Sequence, residues 1–293
     1  MSIVPHMRCP FRVCSHRFIV AAALLLLNSA TFLTAQGYRT PTLSWSNNLL
    51  VVSDPRLPGG KLEIWYLEAF CRSGAWAREW PQTTLHHTTV LTAADAGAKR
   101  LEFRTRVEPG VEVRHSIQAR SDELELNFEL KNTTDSPVDL QWFEPACIRV
   151  AAFTGCVQSN YTGRSFIFTA QGLKLLDRLS RTTKALYLGG QVYLPAAVLP
   201  PDANPRPICL EHPVNGLIGC FSADNRLLLA TASDHTHELF EGVYVCLHSD
   251  PQVNGLAPGE IKRRRSKIYL LTNDPKALLE RYHHDFPEAA DTF

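Results

Sequence analysis

Apolar and polar residues alternate along most of this chain. In "KLEIWYLEAF" (61–70), "RLEFRTRV" (100–107), "VEVRHSIQA" (111–119) and "ELELNFELKN" (123–132) they exchange places at every step. That alternation predicts half-buried strands. "EPG" (108–110) and "TTDSPV" (133–138) supply turn chemistry between them. "VDLQWFEPACIRV" (138–150) predicts another strand, interrupted at Pro145. "GLIGCFSA" (216–223), "RLLLATAS" (226–233), "GVYVCLHS" (242–249) and "SKIYLLT" (266–272) predict a second antiparallel run. Within "GVYVCLHS", parity sends Val243, Val245 and Leu247 to the core and Tyr244, Cys246 and His248 to the other face. Asp250 continues that second row if the strand runs on.

A helix is predicted only in "NDPKALLERYHHDF" (273–286), where Asp274 suits the N-cap and Pro275 the first helical position. Leu278, Leu279, Tyr282 and Phe286 give it a packing stripe. Six prolines in residues 195–213 predict a long ordered loop or lid. The first 35 residues read as a signal peptide: Arg8, Arg12 and Arg17 precede the apolar run "FIVAAALLLL" (18–27), and small residues follow to a cut after Ala35. The run is well short of the about 20 residues a spanning helix needs. The expected organisation is therefore 1–35 signal peptide, 36–59 a loosely ordered segment, and 60–290 one domain. The expected location is secreted or periplasmic, with no membrane span after cleavage.

Cleavage would leave 27 basic and 29 acidic residues (30 minus the three arginines, against 29), a balance that exerts no pull on nucleic acid. Six cysteines would remain, Cys71, Cys147, Cys156, Cys209, Cys220 and Cys246, an even count that permits disulfides. Buried free thiols are the alternative, since Cys220 and Cys246 sit in apolar runs. The basic run "KRRRSK" (262–267) predicts the start of an edge strand.

The stretch "VEVRHSIQARSDELELNFELKNTTDSPVDLQWFEPA" (111–146), a strand, a short turn and an N-x-T-D-S-P block, resembles the middle of galactose-mutarotase-like proteins. The chain also resembles a group of exported bacterial proteins without assigned activity. The first resemblance implies an all-β, mostly antiparallel β-supersandwich with a short C-terminal helix, binding sugar on its concave face. It also implies a His general acid and a Glu general base, needed together to open a hemiacetal. Candidates for these roles are His87, Glu238 and His248.

Trp76, Trp80 and Trp142 would stack on sugar rings. Tyr244 and Arg206 would line the cleft, and Arg149 would clamp the carboxylate of an acidic sugar. The partner expected is a mono- or oligosaccharide, with no cofactor. Whether the chain is an enzyme is left open: epimerase- or lyase-type proton transfer is one reading and a non-catalytic carbohydrate-binding or envelope protein the other. A third reading takes "HTHELFE" as a cupin-like metal site of His235, His237 and Glu241. The glycines that motif needs are Leu229 and His248 here. No G-x-S-x-G, P-loop or dinucleotide fingerprint is present, which leaves serine hydrolases and nucleotide enzymes unsupported.

Overall fold

The computed structural model describes residues 40–74, 79–195 and 206–289. The described strands begin with β1 (Thr42–Ser46), β2 (Leu49–Ser53), β3 (Lys61–Cys71), β4 (Thr84–Leu85), β5 (His87–Ala94), β6 (Arg100–Val107), β7 (Val111–Ala119), β8 (Glu123–Asn132) and β9 (Trp142–Arg149). They continue with β10 (Ser165–Thr169), β11 (Gly172–Leu175), β12 (Gln191–Tyr193), β13 (Ile218–Phe221), β14 (Leu227–Ser233), β15 (Thr236–Gly242), β16 (Cys246–Pro251) and β17 (Ile261–Thr272). Two single-turn helices, α1 (Trp80–Thr83) and α2 (Ala151–Thr154), interrupt them, and α3 (Pro275–Asp285) follows the last strand.

One sheet has the order β1-β2-β3-β9-β16-β15-β12, with β4 paired to the end of β3. The other has the order β11-β10-β13-β14-β17-β8-β7-β6-β5. Every strand pair in both ladders is antiparallel. The fold is thus the expected all-β sandwich closed by a short C-terminal helix. Ile64, Tyr66 and Phe70 of β3 meet Phe103, Val113, Leu126 and Phe128 across the main core. Alternation on each strand puts these residues on one face, so the core is the direct product of the period-two pattern.

β14 departs from alternation because both its faces are covered. Leu229 enters the main core, while Leu228, Ala230 and Ala232 pack under α3. The Asp274 side chain accepts the Lys276 and Ala277 N–H groups and caps α3. Leu278, Tyr282 and Phe286 then fall on one stripe and are fully buried. Each contributes about 1.5–3 kcal/mol relative to an exposed side chain.

Several local expectations are corrected. Residues 42–53, expected to be loose, form the hairpin β1–β2 beside β3, because Leu43, Leu50 and Val52 reach the core. The basic run is central rather than at an edge: β17 lies between β14 and β8. Acidic residues on β8 and on α3 explain its tolerance, with Glu129 bonding Arg263 and both Glu123 and Asp285 bonding Lys267. β9 continues past Pro145 as one strand, with the interruption confined to its register against β3. All six cysteines of residues 40–293 are buried free thiols. The proposed signal peptide lies outside the described residues, as do positions 196–205 of the Pro-rich stretch 195–213; in the described remainder, Ile208 bridges Val192 and Cys209 bridges Arg181. Among the described residues no helix is long and apolar enough to cross a membrane.

Two irregularities prepare the site. Leu67 has φ +52, and the β3–β9 register shifts between Tyr66 and Ala69, opposite Pro145. A proline without an N–H fits inside a central strand only at such a break. Across it, β9 slips phase: Phe143, Ala146 and Ile148 face the core, while Trp142, Glu144, Cys147 and Arg149 face outward. In addition, the β9–β16 ladder holds only Cys246↔Arg149 and Leu247↔Ile148, and bridging resumes at Trp142↔Gln252.

Candidate functional site

A cavity of about 360 Å³ opens on the outer face of the smaller sheet, over the gap between β9 and β16. β9 contributes Trp142, Glu144, Cys147 and Arg149, and β3 contributes Glu68. Glu238, Phe240 and Gly242 come from β15, Cys246 and His248 from β16, and Tyr244 from the turn between those two strands. Trp80 at the start of α1 and the loop residues Tyr187 and Arg206 complete the rim.

Polar groups are concentrated at the floor. Glu238 pairs in register with Asp250, which is fully buried. His248 is buried beneath the cavity, with Nε2 3.6 Å from Cys246 Sγ and 3.9 Å from Glu68 Oε2. Its Nδ1 lies 3.8 Å from Asp250 Oδ1. Glu68 is the more open carboxylate, its side chain 32% exposed. A β-carbon at Gly242 would come within 2.8 Å of Cys246 Sγ, so the glycine makes room for the thiol.

This burial reshapes proton affinities. Burial pushes Glu144 up to about 8; His248 opposes the shift, and Glu68 and Glu238 reinforce it. Burial likewise raises Glu238 to about 7, against the pull of His248 and Arg206. Asp250 is raised well above the carboxylate range, chiefly by burial. Burial disfavours charge on His248, yet Cys246, Asp250 and Glu144 outweigh it and hold the imidazole above its usual range. A hydrogen bond from Cys147 lowers Cys246 to about 4, while the same contact raises Cys147.

Aromatic rings frame the rim. Trp80 and Trp142 have ring centroids 6.4 Å apart, and Trp142 stacks at 5.1 Å on His237. The Arg149 guanidinium lies 5.5 Å from the centre of the Tyr244 ring, and that of Arg206 4.5 Å from Tyr187.

Most of the sequence candidates therefore meet in one place: Glu238, His248, Trp80, Trp142, Arg149, Arg206 and Tyr244 all line the cavity. Trp76 lies outside the described residues. His87 does not join them. It sits on β5 of the other sheet, with Nε2 3.1 Å from the Leu67 carbonyl, where it steadies the left-handed residue of β3.

The cupin-like trio is dispersed. His235 is paired with Asp234 at the surface, His237 stacks on Trp142, and Glu241 turns inward to accept the Ser165 hydroxyl at 2.5 Å. The metal-capable clusters among the described residues are instead Cys147–Cys246–His248 and Glu68–Glu144–His248. Val243 is likewise not a core residue. Residues 243–245 form the hairpin turn, with Val245 at φ +56, so parity begins at Cys246. Glu238 lies on β15.

Glu68, Cys147 and Asp250 were not singled out as site residues by the sequence. The signal that could have found Cys147 is its place two residues after a proline inside a strand pattern.

No family model and no curated protein matches the sequence. Among solved structures, the chain is similar to a protein of Synechocystis at 10% identity, covering 80% of this chain and 96% of that one, with a TM-score of 0.43. It is similar to a galactose mutarotase-like protein from Lactobacillus casei at 7% identity, covering 78% and 99%, with a TM-score of 0.40. A galactose mutarotase related enzyme from Lactobacillus acidophilus matches at 10% identity, covering 78% and 97%, also at 0.40. These likenesses concern the fold alone. By its own strand order the chain is an all-β sandwich of two antiparallel sheets, with its polar cavity on the smaller sheet.

Proposed function

We propose that the cavity binds a saccharide and modifies it by proton transfer of the epimerase or lyase type. The observation that carries this reading is the convergence of Glu144 and Glu238 with the indoles of Trp80 and Trp142 on one cavity. A sugar ring offers apolar C–H faces for the indoles and hydroxyls for the carboxyls, which is the mixed chemistry this wall presents. Glu144 and Glu238 are the proton donor and acceptor, and His248 lies beneath them as a positioning group. Arg149 and Arg206 at the rim suit an acidic sugar, whose carboxylate a guanidinium holds by two hydrogen bonds. Export of the chain is part of the reading and is supported by the pattern of residues 8–35.

The test begins with a panel of neutral and acidic sugars, read first for binding and then for turnover or exchange of ring protons with solvent. Trp142→Ala is expected to weaken binding about tenfold or more, and Glu238→Gln and Glu144→Gln to slow turnover by about 10²–10⁴-fold at nearly unchanged binding. Binding without turnover would make the chain a carbohydrate-binding protein. Failure to bind any sugar would remove the reading.

A further inference from the structure

The cavity floor holds two thiols that proton transfer by Glu144 and Glu238 leaves unused, beside the histidine that positions those carboxyls. Cys147 on β9 and Cys246 and His248 on β16 bring two sulfur atoms and a ring nitrogen within 4.8 Å of one another. Cys246 Sγ stands 3.6 Å from His248 Nε2. A tetrahedral zinc ion, with Zn–S of about 2.3 Å and Zn–N of about 2.0–2.1 Å, sets its S···N edge at about 3.6 Å and its S···S edge at about 3.8 Å. The thiol and the imidazole are already at coordination spacing.

A second observation points the same way. His248 is 2% exposed and Asp250 fully buried, yet His248 Nδ1 and both Asp250 oxygens have no hydrogen-bond partner among the described residues. An unpaired buried polar group of this kind costs about 1–3 kcal/mol, more when charged. The geometry gives the cost a purpose: Nε2 turns toward the thiols, while Nδ1 turns toward the Asp250 carboxylate at 3.8 Å. A carboxylate behind a histidine fixes the ring of a metal ligand in this way. Glu68 Oε2, also without a partner, lies 3.9 Å from Nε2 and supplies an oxygen on the cavity side.

We propose that Cys147, Cys246 and His248 bind a zinc ion, with Asp250 behind the histidine and the fourth position open toward Glu68 and the cavity. Two thiolates and an imidazole select such an ion over magnesium or calcium, which take oxygen ligands. When bound, zinc would polarise a hydroxyl or carbonyl oxygen of the cavity's ligand. The site is independent of which organic molecule enters.

The test uses the metal-free full chain, reduced with a phosphine, and no sugar. Titration with zinc against a chromophoric chelator is expected to show one equivalent per chain. Cys246→Ser and His248→Ala are each expected to weaken it at least 100-fold, and Asp250→Asn by about 10–100-fold. Cobalt in place of zinc should give the wild-type chain a thiolate charge-transfer band and tetrahedral d–d bands, both altered in Cys147→Ser. Glu238→Gln should retain full zinc binding, so loss of sugar chemistry and loss of metal are read separately. Zinc uptake unchanged in Cys246→Ser, or a wild-type chain that gives no tetrahedral thiolate cobalt spectrum, overturns the proposal.

Discussion

Two buried ionic clusters lie on the two outer faces of this sandwich, and they are built on opposite terms. Under α3, Lys267 Nζ meets Glu123 Oε1 and Asp285 Oδ2, each at 2.9 Å. Arg281 reaches Glu123 at 2.7 Å and Asp285 at 3.1 Å, and the Tyr269 hydroxyl donates to Asp285 at 3.0 Å. Neither carboxylate is left without a partner. On the other face, Glu68, Glu144, Glu238 and Asp250 surround one histidine, and three of these five residues carry buried atoms with no hydrogen bond among the described residues. The first cluster is a staple between helix and sheet. The second holds groups short of their partners, the condition of a site waiting for something to bind.

Breaking the staple gives the largest expected effect. Lys267→Met leaves Glu123 and Asp285 buried without the lysine, and a loss of about 3–5 kcal/mol is expected from urea unfolding at neutral pH. A loss below about 1 kcal/mol would erase the contrast between the clusters.

The next effect concerns a buried histidine that is fully partnered. His115 Nδ1 lies 2.6 Å from the Tyr66 hydroxyl and Nε2 2.8 Å from Thr105 Oγ1. Burial lowers its pKa to about 3. Below about 6.5 the unfolded chain takes up a proton that the folded chain refuses. Stability should therefore fall as the pH drops from about 6.5 toward 3, by up to about 1.4 kcal/mol per pH unit. His115→Gln is expected to flatten this share of the slope in unfolding curves taken at pH 7 and pH 5.

The smallest effect sharpens the comparison most. Asp250→Asn removes a buried carboxylate that makes no hydrogen bond among the described residues, so the metal-free chain should change stability by no more than about 1 kcal/mol, or gain some. A loss comparable to that of Lys267→Met would show that Asp250 is a structural group.

The fold was legible because alternation needs only neighbouring residues. β6, β7 and β8 repeat it almost without fault, and Asp274–Pro275 marked the start of α3. Much of the site was legible for the same reason: Trp142, Arg149 and His248 are polar or amphipathic residues on faces opposite the core. What escaped needed the third dimension. The phase slip at Pro145 and the left-handed Leu67 decide which way Cys147 and Glu68 point; the proline marks a break in the pattern without giving its direction, and Leu67 leaves no mark at all. His87 is the right residue type for an acid or base but belongs to the other sheet. The basic run looked like an edge because the Glu129 that neutralises Arg263 lies 134 residues earlier. Asp250, an acid inside a strand, becomes unusual only once its burial is known.

The short ladder between β9 and β16 has a mechanical meaning. With two register pairs before the break and one bridge beyond it, against the longer ladders β3–β9 and β15–β16 on either side, the sheet divides along this line into two plates. Glu68, Trp142, Glu144 and Cys147 ride on one plate, and Glu238, Cys246 and His248 on the other. Shear between the plates changes the aperture between these two sets before it disturbs any distance within either. Whatever spans Cys147 and Cys246 acts as a rivet and sets how wide the cavity stands.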